Sequence, residues 1–320
     1  MYEILIQHGE TVYAPAIEEG IDWSTERTGS PGKLTFSCRA DEILKIEEGD
    51  PVLMREDDKE IFYGFIFTIK RDKSKKISIT AYDQLRYFKN KETYVIENAK
   101  ASDVLKMIAR DFMLNIGEVE DTYYTIPSLV EDNQELFTVM QNALDDELTN
   151  SGLLYVLYDN CGMLCLKNYE NMLVEIIIDE ETGENFDYQS SIDSDTYNQV
   201  KLFYDNEATG KREVYIAKSG ENINQWGLLQ YSDSLKEGEN GAAKADALLQ
   251  LYNAKSKSLK LTNCAGDSRV RAGCCVVIRL NLGDVQLDNL MLVEKCKHTY
   301  RNGLHTMDIT VRGGAINSNE

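Results

Sequence analysis

The sequence predicts an α+β protein, mainly β: two related antiparallel β-barrel domains, at residues 1–95 and 191–320, around an acidic α+β middle domain at residues 96–190. Three observations predict this. Short alternating segments punctuated by Gly, Pro and Asn turns fill both ends of the chain. The middle segment changes from a period of two to a period near 3.6. The last segment then repeats the order of the first, opening on Ser191–Asn206, where Asn198, Val200, Leu202 and Tyr204 fall on one face and Gln199, Lys201 and Phe203 on the other.

Residues 1–95 read as strands. Tyr2–Gln7 alternates, and Thr28-Gly29-Ser30-Pro31-Gly32 is a loop before alternating Lys33–Cys38. Gly49-Asp50-Pro51 turns into Val52–Arg55. Ile61–Ile69 is aromatic and β-branched, with Gly64 marking a bulge or a close backbone contact. Ile77–Ala81 closes the set. In residues 96–190, Ala101–Asn115 places Val104, Leu105, Ile108, Ala109 and Phe112 at helical spacing, with Ser102 as a cap and Gly117 as a stop. A second helix spans about Asn133–Asn150. A hairpin follows from Leu153–Tyr158 to Met163–Lys167, turned by Asp159-Asn160-Cys161-Gly162, and then a strand, Leu173–Ile178. In residues 191–320, Glu213–Ala217 and Gln225–Gln230 are extended. Ala242–Tyr252 is one inserted helix. Strands Ser258–Asn263, Cys274–Leu280, Leu290–Lys297 and Thr306–Val311 follow, the last two joined by Asn302-Gly303.

The two β ends share a pattern. In each, a glycine (Gly49, Gly273) precedes an apolar strand that ends in arginine (Arg55, Arg279). A hydrophobic strand then runs into a polar turn, and a short alternating strand follows.

Charge is uneven along the chain. Residues 1–95 have net charge −4, residues 96–190 net −16 and residues 191–320 net 0, together the −20 of the whole. Phosphate neutralisation needs a basic face, so the middle segment is either a solvated acidic surface or a face that repels DNA. Seven cysteines, with no leader at the N-terminus, read as reduced thiols of a protein made in the cytoplasm. No apolar run is long enough to span a membrane.

No residues combine into a catalytic or cofactor-binding constellation. His8, His298 and His305 are scattered. Cys296 and His298 would share a strand face near His305, short of a four-ligand metal set. Cys161 and Cys165 flank a hairpin tip without redox spacing. Cys274-Cys275 divide between the faces of an apolar strand. Asp145-Asp146-Glu147, the densest carboxylate run, reads as a solvated helix face rather than the opposed pair that glycoside hydrolysis needs. The chain contains no phosphate-binding or nucleophile-elbow motif. Expected catalytic, cofactor and metal residues are therefore none.

The element order, with the segments YDQLRYF, YNQVKL, WGLLQ and HTMDI, resembles the hub proteins of phage-like tails, the XkdQ/YqbQ family of the PBSX prophage type, from Met1 to about Gly313. The resemblance implies tail-tube-like barrels, a homotrimer, and a baseplate hub that joins a sixfold tail tube to a threefold spike without chemistry. Two barrels in each of three chains would give pseudo-sixfold symmetry. The implied partners are a second and third copy of the chain, the tube protein, the spike and other baseplate proteins. No membrane and no specific nucleic-acid binding are implied, and the place is the baseplate of a virion or tail-like particle. The alternatives are a tail-associated cell-wall hydrolase or carbohydrate-binding component, and a secretion-system spike. The first would need a lytic domain and the second a long C-terminal extension, and the sequence ends at Glu320 soon after its last strand.

Overall fold

Alternation in sequence becomes alternation in burial along the first strands. The structure is a computed structural model that describes residues 2–40, 43–193, 196–206, 210–235, 239–281 and 286–313. β1 (Tyr2–His8) buries Ile4 and Ile6 and pairs with the short β2 (Thr11–Tyr13). β3 (Ile17–Glu26) buries Ile21 and Trp23, and β4 (Lys33–Arg39) buries Leu34, Phe36 and Cys38. β5 (Pro51–Glu56), β6 (Lys59–Arg71) and β7 (Lys76–Tyr82) form an antiparallel meander that supplies Val52, Met54, Phe62, Ile66, Ile77 and Ile79 to the same core. Gly64 is a close backbone contact: a Cβ there would lie 2.2 Å from the Tyr82 carbonyl oxygen.

A second core follows. β8 (Lys91–Lys100) pairs with β10 (Thr125–Glu135) as a two-stranded ribbon. α1 (Ala101–Asp111) and α2 (Leu136–Ser151) pack their apolar stripes on it and on each other. β9 (Ile116–Val119), β11 (Tyr155–Asp159) and β12 (Leu164–Asn168) form a small sheet, with β9 parallel to β12. The second helix starts three residues later than the sequence suggests, because Gln134 and Glu135 stay paired with β8 and Asn133 takes φ 49° at the register shift before them. β13 (Leu173–Ile178) runs parallel to a later strand, and β14 (Asn185–Ser191) follows it.

The next elements build a separate core. β15 (Gln199–Asn206) lies between β16 (Lys211–Lys218) and β17 (Gln230–Ser234), antiparallel to the first and parallel to the second. Between β16 and β17 comes α3 (Gly220–Trp226). The extended reading of Gln225–Trp226 is corrected here: the Ser219 side chain accepts from Asn222 N and caps a short helix, which Gly227 stops. α4 (Gly241–Tyr252) buries Ala245 and Leu248 against Val200, Leu202 and Ala217. The buried Asn198 side chain, one residue before β15, accepts from Leu229 N at 2.9 Å and donates to the Gly227 carbonyl at 2.7 Å.

The chain ends in strands: β18 (Ser256–Ala265), β19 (Cys275–Asn281), β20 (Gln286–Arg301) and β21 (Leu304–Gly313). Asn302 and Gly303 both take positive φ, 52° and 77°, as the tight turn between β20 and β21 requires. β19 is the later strand that β13 runs beside.

Contacts divide the protein into two compact units, one of residues 1–186 with 260–311 and one of residues 187–259. The first holds the sheet that joins the chain's two ends, in the order β21-β20-β3-β4-β7-β6-β5-β1-β2. β19 also pairs with β20, and β13 with β19, so the sheet branches at β20. The joint is β20 on β3, antiparallel from Lys295 opposite Glu26 to Tyr300 opposite Ile21. No helix among the described residues is long and apolar enough to cross a membrane.

Candidate functional site

Two of the three histidines meet at this joint. Cys296, His298 and Tyr300 alternate onto the buried face of β20, and His298 stacks on Trp23, its register partner on β3, with ring centroids 4.8 Å apart. His305 on β21 reaches back, stacking on Tyr300 at 4.0 Å. Donor logic fixes the proton positions. His298 Nε2 is 2.8 Å from the Val270 carbonyl, which can only accept, so Nε2 carries hydrogen. His298 Nδ1 then accepts from His305 Nε2 at 2.9 Å. His305 Nδ1 faces the Glu56 carboxylate at 3.3 Å. Burial pushes His298 down to about 4, so it is neutral near pH 7. Burial also lowers His305, against the pull of Glu56. Cys296 Sγ lies 3.1 Å from His298 Nε2, as their shared strand face predicts. The row orients side chains and fills a seam. Among the described residues no group of three or more His, Cys, Asp or Glu is arranged to hold a metal ion.

A second polar cluster centres on two acids. Asp83 and Asp159 are both buried. Asp83 accepts from Gly32 N at 2.9 Å and from Leu85 N at 3.1 Å, while Asp159 accepts from Gly162 N at 2.7 Å and Gln84 Nε2 at 3.3 Å. Gln84 also donates to the Gly162 carbonyl and accepts from Asn115 N at 2.8 Å. The Arg271 guanidinium sits over the Tyr158 ring at 4.3 Å and offsets both acids. Burial raises the Asp83 pKa well above the carboxylate range, with the Asp159 charge adding to it. Burial also raises Asp159, opposed by the Gly162 amide and Arg271. The cluster ties the β4 entry loop, the turn after β7, the β11–β12 hairpin and the segment before β19 to one point. Its sequence signal was faint: an Asp opening the hairpin turn and a lone Arg before an apolar strand.

The other predicted positions are dispersed. His8 pairs with Asp50 at 3.0 Å, away from the other histidines in sequence and partners. Cys161 takes φ 51° at the hairpin tip and Cys165 is buried on β12. Cys274 and Cys275 are both buried, and burial pushes their thiols up to about 11 and about 12, which suppresses thiolate chemistry. None of the seven cysteines is in a disulfide. The solvated-face reading of Asp145-Asp146-Glu147 is corrected at Glu147. That residue is buried and its carboxylate accepts from Tyr123 N at 3.2 Å and Tyr124 N at 2.8 Å, fixing the loop before β10 to α2. Asp145 is exposed and held by Gln141 at 2.7 Å. The cleft beside it, lined by Arg27, Ser30, Phe137, Met140, Leu144 and Asp145, has a volume of about 30 Å³, room for a water molecule.

The model of the YQBQ-like family matches residues 21–312. The chain belongs to the YQBQ-like family. YqbQ of Bacillus subtilis (strain 168) is 28% identical over 314 residues, covering 94% of each chain. The phage-like element PBSX protein XkdQ of the same organism is 30% identical over 274 residues, covering 83% of this chain and 82% of its own. A crystal structure of the tail protein from Neisseria meningitidis MC58 has the same fold, with a TM-score of 0.72 at 11% identity over 98% of this chain and 97% of that one. The match to the YQBQ-like model begins inside β3 and ends in β21, so it spans both strands that flank the joint.

Two outcomes are expected. Arg271→Met leaves two buried carboxylates facing each other, a loss of about 3 kcal/mol near neutrality. A raised folded-state pKa contributes stability below the unfolded value that is lost as pH rises, so urea midpoints should show the Arg271→Met deficit growing as pH rises above the ordinary carboxylate value of about 4. For His298 the sign is opposite. Its folded pKa of about 4 lies below the ordinary 6.5, so stability present above pH 6.5 is lost as pH falls toward 4, by about 3 kcal/mol. His298→Gln, which keeps a donor for Val270, should show a shallower acid loss by the same assay.

Proposed function

We propose that this protein is a structural hub in the baseplate of a contractile phage tail or tail-like bacteriocin, joining a sixfold tail tube to a threefold spike as a homotrimer. The observation that carries the reading is the pairing of β20 with β3, which merges two similar meanders from opposite ends of the chain into one sheet. In the proposed hub, residues 1–95 and 191–320 each contribute one tail-tube-like barrel and residues 96–190 the acidic middle domain. Three chains then present six similar β units on a threefold axis. The relative XkdQ, a PBSX phage-like element protein, and the tail protein that shares the fold support a place in a tail.

The hub works mechanically, without breaking bonds. Asp83, Asp159 and His298 are buried among the elements they join, and Glu147, one of the acids a hydrolase would need, is taken up by backbone amides. Its partners are its own copies, the tail tube, the central spike and neighbouring baseplate proteins. Light scattering over a wide concentration range should give a species of three times the 36.3 kDa chain mass, seen by negative stain as a ring with a central hole. A monomer at every concentration, unchanged by added tube or spike protein, would contradict the reading.

A further inference from the structure

The hairpin between β6 and β7 reads Lys70-Arg71-Asp72-Lys73-Ser74-Lys75-Lys76, five cations and one anion in a chain of net charge −20. Every residue of the tip from Lys70 to Lys75 is exposed. The lone anion is spent inside the turn. Asp72 Oδ1 accepts from Ser74 Oγ at 2.6 Å, Ser74 N at 2.9 Å and Lys76 N at 3.1 Å, and these bonds, the Ser74 hydroxyl first, hold its pKa down. Lys75 is fixed at φ 65°. Among the described residues, Lys70, Arg71, Lys73 and Lys75 form no ion pair. The tip from Lys70 to Lys75 is thus a preformed cluster of four cations around one anion, Asp72, whose carboxylate is engaged by the turn itself.

The complementary surface is the outer face of the β8–β10 ribbon. Its inner face buries Tyr94, Ile96 and Leu129, but Val95 and Val130, opposed across the strands, are 62% and 63% exposed. Glu97 and Asp132 lie beside them on that face, with Glu92 and Glu135 also exposed near the ribbon's end. This face belongs largely to the segment of net charge −16.

We propose that the Lys70–Lys75 tip of one copy docks on the outer β8–β10 face of a second copy. Ammonium and guanidinium groups would meet Glu97 and Asp132, while lysine stems cover Val95 and Val130. The contact joins two different patches, so repeated around an axis it closes a ring. It rests on the self-assembly proposed above and names the surface that would carry it. The rigid turn reduces the ordering cost of docking.

The test compares the full chain with Lys73→Glu/Lys75→Glu, with Glu97→Lys/Asp132→Lys, and with all four changes together, by sedimentation velocity at about 0.05 M and about 0.5 M salt. Circular dichroism and thermal midpoints confirm that each variant folds, and Lys73→Gln/Lys75→Gln replaces the first if it does not. Expected are self-association weakened by salt, a loss of about tenfold or more in each double variant, and recovery in the quadruple variant. Wild-type trimers that survive both reversals would overturn the contact and leave the trimeric reading standing. Loss in both doubles without recovery would overturn the pairing of these two surfaces. A monomer throughout would overturn the contact, and would overturn the trimeric reading as well where added tube or spike protein leaves the chain monomeric. A duplex-DNA gel shift abolished by Lys73→Glu/Lys75→Glu would assign the tip to phosphate instead and overturn the proposal.

Discussion

One strand pair governs this architecture. β3 and β20 lie more than 260 residues apart in sequence, yet they pair over six residues, and among the described residues this pairing links the strands of the chain's two ends into one sheet. Closing so long a loop is unfavourable before any contact forms, so the joint must be strong. Its strength is on the buried face. Ile21 and Trp23 meet Tyr300 and His298, all nearly removed from water, with aromatic stacking across the register. The outer face adds ion pairs of Lys295 with Glu26 at 2.8 Å and Lys297 with Asp22 at 3.2 Å. Exposed pairs of this kind contribute about 0–1 kcal/mol each; they set register more than stability.

Burying imidazoles in that seam is costly unless both ring nitrogens are satisfied. The Val270 carbonyl and the His305 ring satisfy both nitrogens of His298, while His305 Nδ1 donates to Glu56 only when His305 is protonated; Glu56 at the end of β5 and Val270 before β19 bring both meanders to the row. The Asp83, Asp159 and Arg271 cluster does the same for the middle elements. Two buried acids near one half-buried guanidinium are a poor route to stability but a strict requirement on geometry. The structural hub role proposed above would draw on a rigid junction of this sort.

Much of this was legible in the sequence. The meanders, the β11–β12 turn and the Asn302-Gly303 hairpin follow from period and turn chemistry alone. The strand that matters most, β3, was not. Gly20 takes φ 94° against the Tyr300 carbonyl, and the register slips between Glu18 and Ile21, so the alternation changes phase midway through the segment. β10 is masked by Pro127 and by a second slip between Glu131 and Gln134. α3 is too short for a periodic signal and depends on the Ser219 cap. Glu147 read as solvated because three neighbouring carboxylates cannot reveal which one turns inward to amides at Tyr123 and Tyr124. Polar residues that serve distant backbone groups leave no local pattern.

The central claim is that the two ends of the chain fold as one unit through β3 and β20. Native-state hydrogen exchange tests it most directly, comparing the chain with Trp23→Ala. The account predicts that amides of β3, β20 and the β5–β7 meander share the highest protection and lose it together in Trp23→Ala, by about 3–5 kcal/mol. Protection lost in β3 and β20 alone, with the β5–β7 meander unchanged, would show that the two ends are independent and would contradict the account.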